Sequence, residues 1–108
     1  MTVNELSEKC GFSAVCMPDP DREVDGCYIG DLLSWVMGRA QSGNAWITIM
    51  SNVNIAAVAS LTDVSVIVLA EGVTLDESVV SVAVQKGINI VSSDAPAFET
   101  AMKLGGII

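Results

Sequence analysis

The sequence predicts a three-layer α/β/α sandwich with a mostly parallel sheet, and three observations point to it. Three strand-like segments are each followed by a helix-like segment, at a spacing of about twenty residues, which indicates right-handed crossovers between parallel strands. The segment 64–69 (VSVIVL) is apolar at nearly every position, as in a central strand covered on both faces. A chain of 108 residues holds one core, so we expect a single domain over residues 1–108.

The first elements have clear local signals. Thr2 and Glu5 have the spacing of a capping box, which predicts a helix that Gly11 ends in a left-handed conformation. A short strand is expected over 12–17, and the segment 18–23 (PDPDRE) interrupts all periodicity and forms a polar loop.

From residue 24 onward the pattern alternates between strands and helices. Asp31 lies where a helix dipole would favour a carboxylate, residues 51–54 supply caps for another helix, and Ser93-Asp94 are expected to cap the last one. The expected strands cover 27–29, 45–50, 64–69 and 88–91; the expected helices run from 30 or 31 to about 40, from 51–54 to about 61, from about 75 to 86, and up to 105.

Charge excludes two classes of partner. The net charge is −8 with no histidine, and the five basic residues are scattered, so nucleic acid and anionic membranes should be repelled. The sequence contains neither a signal-peptide pattern nor an apolar run of membrane-spanning length. We therefore expect a cytoplasmic location. The five basic residues are Lys9, Arg22, Arg39, Lys86 and Lys103.

The composition is more apolar than a small monomer easily hides. Hydrophobic residues make up 51% and charged residues 17%, against roughly 45–50% and 25% in average domains. A self-complementary homodimer interface would cover the excess, and a parallel sheet covered on both faces is the alternative explanation. Of the two tryptophans, Trp35 and Trp46, we expect one in the core and one near an interface.

No catalytic arrangement is present in the sequence. It contains neither GxxxxGK[ST], GxGxxG nor GxSxG, and without histidine a nucleophile would need lysine or a carboxylate as its base. Cys10, Cys16 and Cys27 lack the spacing of a metal site and are interpreted as reduced, buried, small hydrophobic residues. We expect no enzyme activity and no cofactor.

A dense group of carboxylates offers one alternative function. Five acidic residues lie between the first strand and the second helix, and together they could bind a divalent cation in a small metal-dependent enzyme. They lack the glycine and terminal glutamate of a calcium loop, so a solvated acidic loop is favoured. The five are Asp19, Asp21, Glu23, Asp25 and Asp31.

The candidate binding site follows from topology. Ligands of open α/β sheets bind beyond the carboxyl ends of the strands, and three loops at such ends should lie side by side. Helix N-termini there could hold an anion. The candidate ligand-binding residues in these loops are Ser51, Asn52, Asn54, Glu71, Gly72, Ser93 and Asp94.

Six sequence blocks carry a further signal through their order: 30–34 (GDLLS), 45–48 (AWIT), 54–59 (NIAAVA), 66–72 (VIVLAEG), 87–88 (GI) and 93–99 (SDAPAFE). Over residues 24 to 108, this order resembles the DRTGG-domain family. The resemblance implies an α/β/α domain akin to the N-terminal domain of HPr kinase. It also implies a regulatory or assembly-forming domain that dimerises and does not catalyse, related to domains that accompany CBS pairs in pyrophosphatases.

The family's signature residues are mostly replaced. Its Asp-Arg pair corresponds to Asn52-Val53, and its Thr-Gly-Gly to Ala70-Glu71-Gly72, so only Gly72 remains. Loss of the arginine and the added charge of Glu71 disfavour a phosphorylated ligand. The leading hypothesis is therefore a non-catalytic, homodimeric regulatory or adaptor domain that contacts an unidentified protein. The alternative is a sensor that binds a nucleotide or related metabolite at the carboxyl edge of the sheet.

Overall fold

The computed structural model describes all 108 residues, and its strands and helices follow the predicted alternation. The strands are β1 (Ser13–Cys16), β2 (Gly26–Ile29), β3 (Asn44–Thr48), β4 (Val66–Leu69) and β5 (Ile90–Ser92). The helices are α1 (Val3–Cys10), α2 (Leu33–Arg39), α3 (Asn54–Thr62), α4 (Glu77–Gln85) and α5 (Ala97–Gly105).

The sheet has the order β1-β5-β4-β3-β2. Strands β2 to β5 are parallel, and β1 is antiparallel to β5 at one edge. Because each crossover from β2 to β5 moves to the next strand in the same direction, right-handed connections put α2, α3 and α4 on one face of the sheet. Helices α1 and α5 cover the other face, which confirms the three-layer α/β/α architecture.

Strand β4 lies at the centre of the sheet, as its apolar sequence predicts. All four of its side chains are fully buried. Ile67 and Leu69 pack with the α2–α4 layer, while Val66 and Val68 pack with α1 and α5. The alternation of a strand therefore divides one apolar run between two separate hydrophobic cores.

Helix α1 begins and ends as its sequence indicates. The Thr2 side chain accepts a hydrogen bond from the Glu5 N–H, and the Glu5 carboxylate accepts one from the Thr2 N–H, both at 3.1 Å. Gly11 then takes the left-handed conformation, with a φ of 71°. Val3, Leu6 and Cys10 form the buried face of the helix.

Helix α2 begins later than predicted, at Leu33 and not at residue 30 or 31. The Asp31 carboxylate is engaged elsewhere: its Oδ1 accepts hydrogen bonds from Thr48 Oγ1 at 2.8 Å and from Ile49 N at 3.0 Å. These bonds keep residue 31 at the end of the sheet, two residues before α2, so the helix does not begin at Asp31. The other boundaries differ from prediction by a few residues, as with α4, which begins at Glu77.

The two tryptophans have different environments. Trp46 is fully buried, and its Nε1 donates a hydrogen bond to the Gly30 carbonyl at 2.9 Å. Trp35 is 53% exposed, and the Arg39 guanidinium lies 3.7 Å from its ring centroid. The prediction of one core tryptophan is confirmed by Trp46.

The cysteines depart from prediction in one case. Cys10 is buried and Cys16 is partly buried, whereas Cys27 is exposed. Cys27 lies on β2, whose outer edge has no neighbouring strand. A small apolar residue is therefore left at the surface because of the position of its strand, which the local sequence does not specify.

None of the helices has the length and hydropathy needed to cross a membrane.

Candidate functional site

The carboxyl ends of four parallel strands meet at one edge of the sheet. Main-chain hydrogen bonds connect neighbouring ends: Gly30 N donates to Ile47 O at 3.2 Å, and Ala70 N donates to Thr48 O at 3.0 Å. Between the last two strands, Ser93 N donates to Leu69 O at 2.7 Å. The loops after β3, β4 and β5 therefore lie side by side, and the end of β2 adjoins them.

The loops after β4 and β5 are joined directly to each other. Glu71 N donates to Ala95 O, and Gly72 N donates to Ser93 O, both at 2.9 Å. Glu71 and Gly72 have positive φ values of 62° and 68°, so the chain turns sharply here. A Cβ on Gly72 would lie 3.4 Å from an Asp94 carboxylate oxygen. The structure thus brings together four of the candidate residues, Glu71, Gly72, Ser93 and Asp94. The main-chain N–H groups of Glu71 and Gly72 already donate to carbonyl groups of this chain.

Ser93 has an internal role and does not cap a helix. It is buried, its hydroxyl is 2.9 Å from Thr100 Oγ1, and it accepts a hydrogen bond from Ala95 N at 3.2 Å. Helix α5 begins only at Ala97, with Pro96 as an N-cap residue that makes no side-chain capping bond. Proline disfavours a helical conformation in the residue before it, so the predicted Ser93-Asp94 cap is wrong.

Asp94 and Glu71 present their carboxylates to solvent. Both side chains are exposed, and neither carboxylate forms a salt bridge. Asp31 adds a third carboxylate at the end of β2. The edge therefore carries three acidic residues and none of the five basic residues, and this charge repels an anion.

The loop after β3 holds the remaining candidates. Ser51, Asn52 and Asn54 are all exposed, and the Asn52 Oδ1 accepts a hydrogen bond from Asn54 N at 2.9 Å in a local turn. Val53 supplies no side-chain cap, but the Asn52 side chain accepts the N–H of the first residue of α3, so one member of the predicted set 51–54 does cap the helix. The polar side chains Ser51 and Asn54 form no hydrogen bond within the chain, which leaves them free for a partner.

Asp31 and Thr48 are members of this edge that the sequence analysis did not include among its candidate ligand-binding residues. Thr48 is buried, donates to Asp31 and accepts a hydrogen bond from Met50 N at 3.1 Å. The pair connects the ends of β2 and β3. Their positions relative to the strand ends could have identified them, because Asp31 comes two residues after β2 and Thr48 is the last residue of β3.

The acidic segment does not converge on a cation site. Glu23 pairs with the N-terminal ammonium at 2.7 Å, whereas Asp25 and Asp31 flank opposite ends of β2. Asp19 forms main-chain hydrogen bonds with the buried side chain of Asn89, at 2.7 and 2.9 Å. No three His, Cys, Asp or Glu side chains are grouped as metal ligands, and no pocket opens on the surface.

No protein-family model matches the chain, and no curated protein matches it either. Among solved structures, it is similar to the CBS and DRTGG domains of the regulatory region of Clostridium perfringens pyrophosphatase, complexed with the activator diadenosine tetraphosphate. The TM-score is 0.74 and the sequence identity 12%, over 95% of this chain and 45% of that chain. The chain therefore spans less than half the length of that structure. This likeness supports the predicted DRTGG-like fold.

Proposed function

We propose that residues 1–108 form one regulatory domain that does not catalyse, assembles as a homodimer and acts through contact with another protein. The observation that carries the proposal is the exposed apolar surface: eleven large hydrophobic side chains are more than 40% exposed. Where such side chains adjoin one another they mark sites of protein interaction, whereas singly exposed ones are common on monomers. The three free cysteines agree with a reducing, cytoplasmic location.

The carboxyl edge supports a protein contact better than a small-molecule site. Its loops after β4 and β5 are bonded to each other, and its three carboxylates would repel a phosphate group. Small-molecule sites are usually concave, whereas no pocket opens on this surface. A polar, acidic edge suits a basic surface of a protein partner, which the exposed Ser51, Asn54, Glu71 and Asp94 would contact.

Light scattering on the purified chain tests the first part of this proposal. We expect a mass near twice the 11.3 kDa of one chain at micromolar concentration. A monomer throughout that range would contradict the homodimer.

The second candidate function is nucleotide sensing at the carboxyl edge. One observation favours it: the pyrophosphatase region that shares the fold is complexed with diadenosine tetraphosphate. Here Ser51, Asn52 and Asn54 would donate hydrogen bonds, and Gly72 would allow close approach. A ligand at 100 times its dissociation constant stabilises the folded state by about 2.7 kcal/mol.

A thermal-shift titration with diadenosine tetraphosphate, ATP and AMP separates the two functions. The leading proposal expects no change in melting temperature. A shift that Asn52→Ala and Asn54→Ala reduce, and that Asn4→Ala on α1 leaves unchanged, would favour the nucleotide sensor and contradict the leading proposal.

A further inference from the structure

We propose that two copies of the chain join at the open edge of β2, through an apolar surface formed by β2 and the adjoining flanks of α2 and α5. This inference rests on the homodimer proposed above and assigns its interface. We call this region the β2 surface. Its six residues are Cys27, Ile29, Leu32, Trp35, Phe98 and Met102.

Strand β2 is a short edge strand that lacks two of the usual protections. It pairs with β3 on one side and with no strand on the other. Its four residues, Gly26–Ile29, include no charge and no proline, the features by which proteins commonly block an exposed edge. The opposite edge strand, β1, has an irregular register between Ala14 and Cys16. Of the two edges, β2 is therefore the one suited to pairing with another strand.

The register of β2 places two of its side chains on the α5 face. Cys27 and Ile29 lie opposite Ala45 and Ile47, which are buried in the core beneath α1 and α5. Helix α5 packs against β2 and β3 but leaves Ile29 49% exposed. An uncovered strip of sheet face thus runs along the outer side of α5.

Two large apolar residues of α5 point toward that strip. Thr100 and Leu104 form the buried face of α5, and the strand order places α1 counter-clockwise from that face when α5 is viewed from its N-terminus. At 100° per residue, Phe98 and Met102 fall on the opposite flank, above the edge of β2. They are 71% and 61% exposed.

Helix α2 supplies the other face of the surface. Leu33 and Val36 pack against the sheet, and α3 is the neighbouring helix in the layer. Viewed from the N-terminus of α2, the right-handed crossover places α3 clockwise from the sheet, whereas Leu32 and Trp35 lie counter-clockwise, toward the open edge. Their exposed fractions are 59% and 53%.

The combined area is sufficient for a stable dimer. The six side chains expose roughly 700 Å² in each copy, and a standard interface buries about 800 Å² per partner. The main chain of β2 supplies the remainder. Aromatic and methionine side chains, which are enriched in interfaces, make up half of the surface.

Symmetry and charge identify a second copy as the occupant. A two-fold axis perpendicular to the sheet would pair β2 with its own copy in antiparallel orientation, with both α5 flanks on one face and both α2 flanks on the other. None of the six residues is charged, so two chains of net charge −8 can meet there without opposing carboxylates at the centre. A partner recognised by its charge would bind an acidic surface elsewhere.

Sedimentation velocity of the full chain and three variants, over roughly 1 to 100 µM, tests the interface. We expect Phe98→Lys to raise the dissociation constant of the dimer at least about 30-fold, because it places a charge at a buried contact of both copies. Trp35→Ala, on the other flank, should weaken the dimer about tenfold or more. The matched control is Leu61→Lys, because Leu61 is also 71% exposed but lies at the end of α3, outside the surface.

The outcomes separate this inference from the proposed function. A dimeric wild type and Leu61→Lys, with monomeric Phe98→Lys, supports the interface. A dimeric Phe98→Lys, or a monomeric Leu61→Lys, overturns the assigned surface while the homodimer stands. A wild type that remains monomeric over the whole concentration range overturns both the assigned interface and the homodimer. Binding of a different protein to the β2 surface would not alter that conclusion. Circular dichroism of each variant establishes that it is folded.

Discussion

Two residues other than glycine have a left-handed backbone, Asp63 with a φ of 60° and Glu71 with a φ of 62°. This conformation brings a Cβ close to the following carbonyl oxygen and costs roughly 1–2 kcal/mol for most residues. Glu71 occupies the position where the resemblance to DRTGG domains expects a glycine. The backbone at residue 71 therefore has the left-handed conformation that suits glycine, although the Cβ of glutamate is strained in it.

Replacing Glu71 with glycine should stabilise the chain by about 1 kcal/mol, because glycine adopts positive φ without strain. Glu71→Ala is the matched control, since it removes the charge but keeps the Cβ. Urea denaturation measures both. An equal gain in the two variants would attribute the effect to charge and contradict the conformational explanation.

Asp63 predicts how stability depends on pH. Hydrogen bonds from Ser42 and Arg22 lower the pKa of its carboxyl group below the ordinary value. A carboxyl group with a lower pKa in the folded state contributes stability that is fully present above its unfolded pKa of about 3.9 and is lost as the pH falls through the folded pKa. The contribution should therefore decline below about pH 4 and be lost once the pH falls below the folded-state pKa.

Asp63→Asn tests this dependence while preserving the backbone, because asparagine also tolerates the left-handed conformation. We expect the variant to lose stability less steeply than the wild type between about pH 4 and pH 2. Urea midpoints measured across that range provide the comparison. Parallel curves would show that Asp63 does not contribute to the acid sensitivity.

Among the elements, α1 depends strongly on its cap. Its eight residues are fewer than the 12–15 that an isolated helix needs to be marginally stable in water. Packing of Val3, Leu6 and Cys10 and the capping box at Thr2 together maintain it. The resulting contact between α1 and α5 also fixes which flank of α5 faces the open edge.

Thr2→Ala should destabilise the chain by about 1 kcal/mol, because the Glu5 N–H loses its acceptor at the start of α1. Thr74→Ala is the control, since Thr74 is exposed and makes no side-chain hydrogen bond. Thermal unfolding followed by circular dichroism measures the difference. A loss of the same size in both variants would contradict a specific capping role.

Over the whole molecule, the one-way order of crossovers decides which edge remains open. Every step from β2 to β5 moves away from β2, so no later strand returns to cover it. Helices α2 and α5 flank this edge without closing it, and they leave apolar side chains exposed. The uncovered surface is thus a consequence of topology.

Salt should strengthen the dimer. Each copy carries a net charge of −8, and raising the ionic strength from about 0.01 M to 0.15 M shortens the Debye length from about 30 Å to about 8 Å, which screens repulsion between the copies. Sedimentation at the two ionic strengths measures the dissociation constant. Weaker association at high salt would indicate an interface held by ion pairs and contradict an apolar one.

Local sequence patterns determined several features directly. The apolar run at β4 specified a strand buried on both faces, and the spacing of Thr2 and Glu5 specified the start of α1. These features depend on side-chain alternation and on hydrogen bonds between residues close in sequence. The rule that parallel strands end at one edge also gave the location of the candidate loops.

The tertiary structure alone decided how those loops are connected and which residues are exposed. Asp31 joins Thr48, 17 residues away, and Ser93 turns inward to Thr100. Cys27 is exposed because β2 is the edge strand. Such pairings arise from the order of the strands in the sheet, which the residues adjacent in sequence do not specify. The sequence therefore determined the layers and their elements, whereas the strand order determined the open edge and its partners.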